Sequence, residues 1–170
     1  FNNTNIWNMA NGASDFGTGT NILNNSGYFL ATNIAGGANT IIHDIGTVNN
    51  SGSIIMQNMD SHIGGSTAYA NDVTTFANAG AGNFVSNGGS LYIDTDFVNG
   101  TSDKLVVDNS ILGSAPTKIY VNPVGNNGAA TTGDGIEVVQ VSGQESDAGA
   151  FVLGAPVHAG LYSYDLTQGV

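Results

Sequence analysis

Carboxylates at alternate positions are the residues whose type and spacing could support chemistry. Asp94 and Asp96 flank Thr95 in a β-branched stretch, and alternate residues of a strand lie on one face. With Asp103 or Asp108 nearby, they are candidates for a weak calcium site or for the carboxylate pair of a glycosidase. The alternative, which we favour, is that they are solvated side chains. We predict no other metal ligand and no cofactor.

No other group of side chains predicts catalysis. His43 and Asp44 could be a base and its orienting carboxylate, but the sequence has no Gly-x-Ser-x-Gly motif to supply a nucleophile. His62 and His158 are far from His43 in sequence and lack the spacing of zinc ligands. Residues 133–135, Gly-Asp-Gly, lack the Lys-Ser/Thr of a phosphate loop and predict a hairpin turn. We predict no catalytic residues and a protein that is not an enzyme.

The charge balance excludes several classes of partner. The sequence has two Lys+Arg against 13 Asp+Glu, a formal net charge of -11. No basic surface can displace the counterions of nucleic acid or dock on an anionic membrane. There are no cysteines for disulfides, and no apolar stretch reaches the roughly 18 residues of a membrane span. We therefore expect neither nucleic-acid binding nor a membrane-embedded fragment.

The elements that position these side chains are short strands separated by an Asn-x-Gly repeat. Leu23 to Gly27 and Val48 to Gly52 are the clearest copies, and Val85 to Gly89 is a third. Each copy predicts a tight corner between two strands, because Asn and Gly tolerate positive φ. Repeats of this length without amphipathic helices predict a parallel β-helix. The predicted inward residues are Ile6, Leu23, Phe29, Ile42, Val48, Ile54, Phe76, Val85, Leu91 and Ile93. Residues 56–72 predict an excursion from a coil.

The composition changes near Thr101. Both lysines and all three prolines follow this point. An open end of a β-helix exposes unpaired backbone, so it needs a cover. We therefore predict an all-β protein with β-helix coils over 1–100 and a hairpin-rich C-terminal cap over 101–170.

Five segments of this C-terminal region carry a family resemblance. They are residues 103–107 (Asp-Lys-Leu-Val-Val), Gly113 followed by 119–122 (Ile-Tyr-Val-Asn), 133–139, 150–153 (Ala-Phe-Val-Leu) and 160–166 (Gly-Leu-Tyr-Ser-Tyr-Asp-Leu). Their order and spacing resemble the C-terminal autochaperone region of pertactin-like passenger domains of bacterial autotransporters (type V secretion), over about 97–170. The residues that carry this folding and cap motif are Asp103, Leu105, Val107, Gly113, Gly135, Phe151, Leu153, Gly160, Tyr162, Tyr164 and Leu166.

The resemblance implies a right-handed, three-faced β-helix at the surface of a Gram-negative cell or secreted from it. It implies that this region nucleates folding and caps the helix, with the precursor's own outer-membrane translocator barrel as partner. Adhesion or another virulence-related contact with a host-surface protein or glycan is the implied role of the whole passenger. The alternative is a β-helical enzyme acting on polysaccharide, or a glycan-binding module.

Overall fold

The computed structural model describes residues 1–9, 11–32, 37–58 and 69–169. These residues form short strands, one turn of 3₁₀ helix at Val124–Asn126 and no α-helix. No helix within them has the length and hydropathy that a membrane span requires. The strands are β1 (Asn2–Asn3), β2 (Ile6–Asn8), β3 (Ala13–Asp15), β4 (Ile22–Asn25), β5 (Tyr28–Leu30), β6 (Asn39–His43), β7 (Thr47–Asn50), β8 (Ser53–Ile55), β9 (Val73–Phe76), β10 (Asn83–Asn87), β11 (Ser90–Asp96), β12 (Thr101–Ser102), β13 (Lys104–Val107), β14 (Asn109–Ala115), β15 (Thr117–Pro123), β16 (Val139–Val141), β17 (Phe151–Leu153), β18 (Val157–Ala159) and β19 (Tyr162–Tyr164).

Three parallel sheets run the length of the molecule. Their strand orders are β1-β4-β7-β10-β14, β2-β5-β8-β11-β15-β17 and β3-β6-β9-β13-β16. A coil is one strand from each sheet, so coil 1 is β1–β3, coil 2 is β4–β6 and coil 3 is β7–β9. Coil 4 is β10, β11 and β13, and coil 5 is β14, β15 and β16. The predicted all-β fold, a three-sided parallel β-helix, is confirmed.

The parallel ladders continue on the C-terminal side of residue 100. Strand β13 pairs with β9 and β16, and β15 pairs with β11 and β17, all in parallel. Two antiparallel pairs accompany them: β12 returns along β11, and β18 and β19 form the C-terminal hairpin. The change in composition near Thr101 therefore falls inside coil 4.

The core is a continuous column of apolar side chains. Eight of the predicted inward residues are at most 4% exposed: Leu23, Phe29, Ile42, Val48, Ile54, Phe76, Leu91 and Ile93. Aromatic rings form a chain within this column, with centroids 5.0 Å apart for Trp7–Phe29, 5.5 Å for Phe29–Phe76 and 6.1 Å for Phe76–Phe84. Such ring pairs add to the stabilisation from burial.

Two predicted inward residues face outward. Ile6 is 51% exposed and its neighbour Trp7 packs on the core. In β10, Phe84 and not Val85 pairs with Val48. Because side chains alternate with a period of two, an offset of one residue moves them to the opposite face. The third Asn-x-Gly copy has one extra residue in its corner, where Gly88 has a φ of 83°.

The predicted corners occur, but close stacking explains their glycines better than backbone conformation does. Gly27 and Gly52 are absent from the positive-φ positions. A Cβ on Gly27 would lie 2.2 Å from the Asn5 carbonyl oxygen, and one on Gly52 would lie 2.2 Å from the Gly27 carbonyl oxygen. Each corner therefore leaves no room for a side chain against the corner of the preceding coil.

Asparagines beside these corners form two ladders across the first sheet. In the inner ladder, Asn3 Nδ2 donates to Asn25 Oδ1 (2.7 Å) and Asn25 Nδ2 donates to Asn50 Oδ1 (2.8 Å). In the outer ladder, Asn24 Nδ2 donates to Asn2 Oδ1 (2.7 Å), and Asn49 Nδ2 donates to Asn24 Oδ1 (2.8 Å). These hydrogen bonds hold coils 1 to 3 in register.

Candidate functional site

The two carboxylates predicted as calcium candidates accept protein hydrogen bonds in different surroundings. Asp94 is buried, so the prediction that it is solvated is wrong. Its Oδ1 accepts from Asn122 Nδ2 (2.6 Å) and its Oδ2 from the Asn58 amide (2.9 Å). Asp96 instead accepts from the backbone amides of Val98 and Asn99, both at 3.0 Å. Within the described ranges, no group of three or more His, Cys, Asp or Glu side chains could hold a metal ion.

The histidines do not assemble a catalytic group in the described part of the chain. His43 is exposed at the end of β6, and Asp44 occupies a turn with a φ of 55°. His158 Nδ1 lies 2.9 Å from Ser163 Oγ across the hairpin, and His62 is outside the described residues. Residues 133–135 form a turn, in which the Gly135 amide donates to the Thr132 carbonyl (3.2 Å). The predicted hairpin is wrong, because the flanking strands β15 and β16 lie in different sheets.

Asp103 connects three segments at the point where β12 leads into β13. Its buried carboxylate accepts from the Asp72 amide at Oδ1 (2.8 Å) and from the Asp94 amide at Oδ2 (2.7 Å). Its own amide donates to the Asp94 carbonyl (3.0 Å), and the Lys104 amide donates to the Asp72 carbonyl (2.9 Å). We call Asp72, Asp94 and Asp103 the Asp103 junction. It joins the start of β13 to the start of β9 in coil 3 and to β11 in coil 4.

Strand β13 carries the next two predicted motif residues into the core. Leu105 and Val107 are at most 1% exposed. Leu105 pairs with Thr74 on one side and with Val139 on the other. The strand therefore joins the ladder of coil 3 directly to coil 5.

Asp108 and Asn109 are structural residues whose role sequence reasoning missed. Asp108 Oδ2 accepts from the amides of residues 78, 80 and 82, at 2.6, 3.1 and 3.0 Å. Asn109 Oδ1 accepts from the amides of Gln144 and Glu145, both at 3.1 Å. The available signal was the Asp-Asn pair itself, because these residues favour turns. Their donors are backbone atoms of adjacent coils, which no local pattern reveals.

Gly113 and Phe151 contact the fourth coil. A Cβ on Gly113 would lie 2.7 Å from the Ser86 carbonyl oxygen, so the backbones approach too closely for a side chain. The Phe151 ring stacks on Phe84 at a centroid distance of 5.6 Å. Phe84 pairs along the sheet with Ser110 in coil 5. Because Ser110 is small, the Phe151 ring reaches past coil 5 to coil 4.

The C-terminal hairpin packs on a second, smaller core. The Tyr164 ring stacks on Phe97 at 3.7 Å. The Tyr164 hydroxyl accepts from the Ala129 amide (2.9 Å) and donates to the Ala129 carbonyl (2.8 Å). Leu153 packs beside Phe97, and Gly160 has the positive φ (56°) of the hairpin turn.

The remaining motif residues are Tyr162, Gly135 and Leu166. Tyr162 is 43% exposed on the hairpin, and Gly135 lies in the turn after Thr132 with a φ of 85°. Leu166 packs against the main core. The structure thus divides the predicted motif between the β-helix interior and the hairpin.

Comparison with known proteins extends the resemblance toward the N-terminus. The family model described as "Autochaperone Domain Type 1" matches residues 43–166. It therefore begins at the end of coil 2, upstream of the predicted start near residue 97. The chain is also similar to "Uncharacterized protein YuaQ" of Escherichia coli (strain K12), with 34% identity over 127 residues. That alignment covers 74% of this chain and 8% of the relative, so the chain spans a small part of the relative's length.

The matched residues include the whole Asp103 junction and the C-terminal hairpin. They also cover more than half of the chain. The chain therefore belongs to the Autochaperone Domain Type 1 family, a folding region of autotransporter passengers, which are secreted or surface-exposed proteins of Gram-negative bacteria.

Proposed function

We propose that this chain is the folding nucleus and C-terminal cap of its passenger, and that it acts by shape and not by reaction. The observation that carries the proposal is the continuity of contacts from the hairpin to coil 3. The hairpin packs on Phe97, Phe151 reaches Phe84, and β13 joins coil 3 to coil 5. A body linked in this way is stabilised as a unit.

The order of secretion gives this unit its role. In the family that the chain resembles, the passenger crosses the outer membrane with its C-terminus first, so the hairpin and coil 5 emerge before coil 1. Forming non-local strand pairs is the slow step for β structure. Once coils 4 and 5 have formed, each preceding coil adds to an existing edge and contacts only its neighbour. The folded region then acts as a template.

The same proposal includes the partners. The precursor's own translocator barrel delivers the unfolded chain, and the complete passenger serves adhesion to a host-surface protein or glycan. The family match supports the first partner through its link to autotransporters. Burial of Asp94 and Asp103 argues against a polysaccharide-cleaving site at the Asp103 junction, because such a site needs carboxylates in a groove open to substrate.

The test is surface display of the full-length precursor with a charge placed in the core. Leu105→Asp and Phe151→Asp each place a carboxylate among apolar side chains, which is strongly destabilising. We expect both variants to lose at least about tenfold of the protease-resistant passenger at the cell surface. Antibody labelling of intact cells before and after protease treatment measures this loss.

Leu161→Asp is the matched control, because Leu161 is fully exposed at the hairpin tip. We expect its display to equal that of the wild type. Unchanged levels of protease-resistant passenger in both core variants would refute the proposed role as a folding nucleus. Loss in the Leu161 variant alone would point to recognition of the hairpin surface instead.

A further inference from the structure

The Asp103 junction buries three carboxyl groups together. Asp72 and Asp103 have no exposed surface and Asp94 is 2% exposed. They are linked through backbone amides, because Asp103 accepts from the amides of Asp72 and Asp94. Three segments of the chain therefore meet at acidic side chains that are removed from water.

No cation among the described residues compensates this charge. Lys104 and Lys118 are the chain's only Lys or Arg residues. The Lys104 Nζ atom lies 3.1 Å from Glu137 Oε2 at the surface, and Lys118 is exposed. Among the described residues, the Tyr69 hydroxyl is the other titratable group that faces the junction, and it also lies near Asp96. A neighbouring negative charge makes ionisation of each carboxyl less favourable.

Asp72 has an incompletely satisfied carboxylate. Its Oδ1 accepts from the Ala38 amide, whereas its buried Oδ2 has no hydrogen-bond partner among the described residues. The Thr32 side chain lies close enough to favour ionisation of Asp72, but it makes no hydrogen bond to Oδ2 of normal geometry. An ionised oxygen in such a position is costly, and a bound proton removes most of that cost.

We propose that the Asp103 junction is a proton-sensitive lock, in which the folded chain holds at least one more proton than the unfolded chain. Acid then stabilises the attachment of β13 to β9 of coil 3 and to β11 of coil 4, and alkali destabilises it. The lock concerns the stability of the chain itself and does not depend on its proposed role in secretion.

The direction of the effect follows from the carboxyl groups. Burial raises the pKa of Asp103 to about 8, against two backbone hydrogen bonds that lower it. Burial likewise raises the pKa of Asp72 to about 6 and also raises that of Asp94. The unfolded value is about 3.9. The contribution of these protonated carboxyl groups to the free energy of unfolding is therefore fully present below about pH 4, and it is lost as the pH rises through about 8.

Two measurements on the wild-type chain test the lock. The first is urea unfolding between pH 5 and pH 9, where we expect the unfolding equilibrium constant to rise at least about tenfold from pH 5 to pH 8. The second is ¹³C NMR titration of the aspartate carboxyl groups. We expect at least one buried carboxyl to titrate above pH 6, and the NMR result does not depend on a variant that folds.

Asp103→Asn and Asp134→Asn form the matched pair of variants. Each replaces a carboxyl group with a neutral amide, but Asp134 is exposed in the turn after Thr132. We expect Asp134→Asn to keep the pH dependence of the wild type and Asp103→Asn to flatten it. Equal slopes of the unfolding free energy against pH in the two variants would overturn the proposal. A wild-type stability that does not change with pH, with every aspartate titrating below pH 5, would also overturn it. So would calcium added at pH 8, if it lowered the pH at which the buried carboxyl groups titrate and stabilised the chain.

Discussion

At the scale of single residues, the hairpin is attached where Gly128 passes beneath it. The Tyr164 hydroxyl binds both backbone groups of Ala129. A Cβ on Gly128 would lie 2.1 Å from the Ala159 carbonyl oxygen and 2.7 Å from the Tyr164 hydroxyl. Sequence reasoning selected Tyr164 but not Gly128, because the need for glycine arises only from this close approach.

Gly128→Ala should therefore loosen the hairpin. The added methyl group cannot fit without moving backbone atoms, and overpacking of this kind costs about 1–3 kcal/mol. Urea unfolding of the purified chain measures the loss. Gly169→Ala is the control, since a Cβ there meets nothing within 4 Å. Equal unfolding midpoints for the two variants would contradict the proposed packing.

At the scale of elements, the asparagine ladders align the first strands of coils 1 to 3. Asn25 is the central member of the inner ladder. It accepts from Asn3, donates to Asn50 and also donates to the Ser53 carbonyl (3.4 Å). The ladder ends at β10, where Ser86 pairs with Asn50. The asparagine ladders therefore supplement the backbone hydrogen bonds of the first three coils.

Asn25→Ala should destabilise these coils much more than Asn24→Ala. The first change leaves the buried Asn50 Oδ1 without its donor and leaves Asn3 Nδ2 with only the Tyr28 carbonyl as acceptor, which costs about 1–3 kcal/mol. The second change affects the outer ladder, whose hydrogen bonds are exposed to water, and should cost less than about 0.5 kcal/mol. Chemical denaturation of the two variants measures the difference. The inner ladder would have no special role if both changes had the same effect.

At the scale of the whole molecule, the β-helix is a one-dimensional stack with a lateral attachment near its C-terminal end. Each coil contacts the coils before and after it, so the effect of a local change should fall off along the stack. Phe97 joins β11 of coil 4 to the hairpin through Tyr164. It is therefore the position from which to test how far coupling extends.

Phe97→Ala should increase amide hydrogen exchange mainly in the hairpin and in β11 and β12. The strands β4 and β7, which lie in coils 2 and 3, should keep their protection because they do not contact Phe97. Hydrogen exchange followed by NMR or mass spectrometry resolves the strands. A uniform increase in every coil would instead mean that the chain unfolds as one cooperative unit.

The sequence by itself determined the parallel β-helix, because apolar alternation and Asn-x-Gly corners are local properties of the chain. Its three sides were implied by the family resemblance. The sequence also located the apolar motif residues that proved to be core, such as Leu105. It could not determine the facing of Val85, since one extra corner residue shifts the alternation and its position is set by pairing with the previous coil. It could not determine that of Ile6 either, because pairing of Trp7 with the buried Phe29 fixes which face of β2 is inward.

The tertiary structure alone decided the state of the acidic residues. From the sequence, Asp94 was predicted to be solvated, with a calcium site or a glycosidase pair as the alternatives. Its burial, and that of Asp72 and Asp103, results from segments up to 36 residues apart that donate backbone amides to these carboxyl groups. Backbone amides are present at almost every position, so no residue pattern marks which ones will meet a carboxylate. That choice depends on how the coils stack.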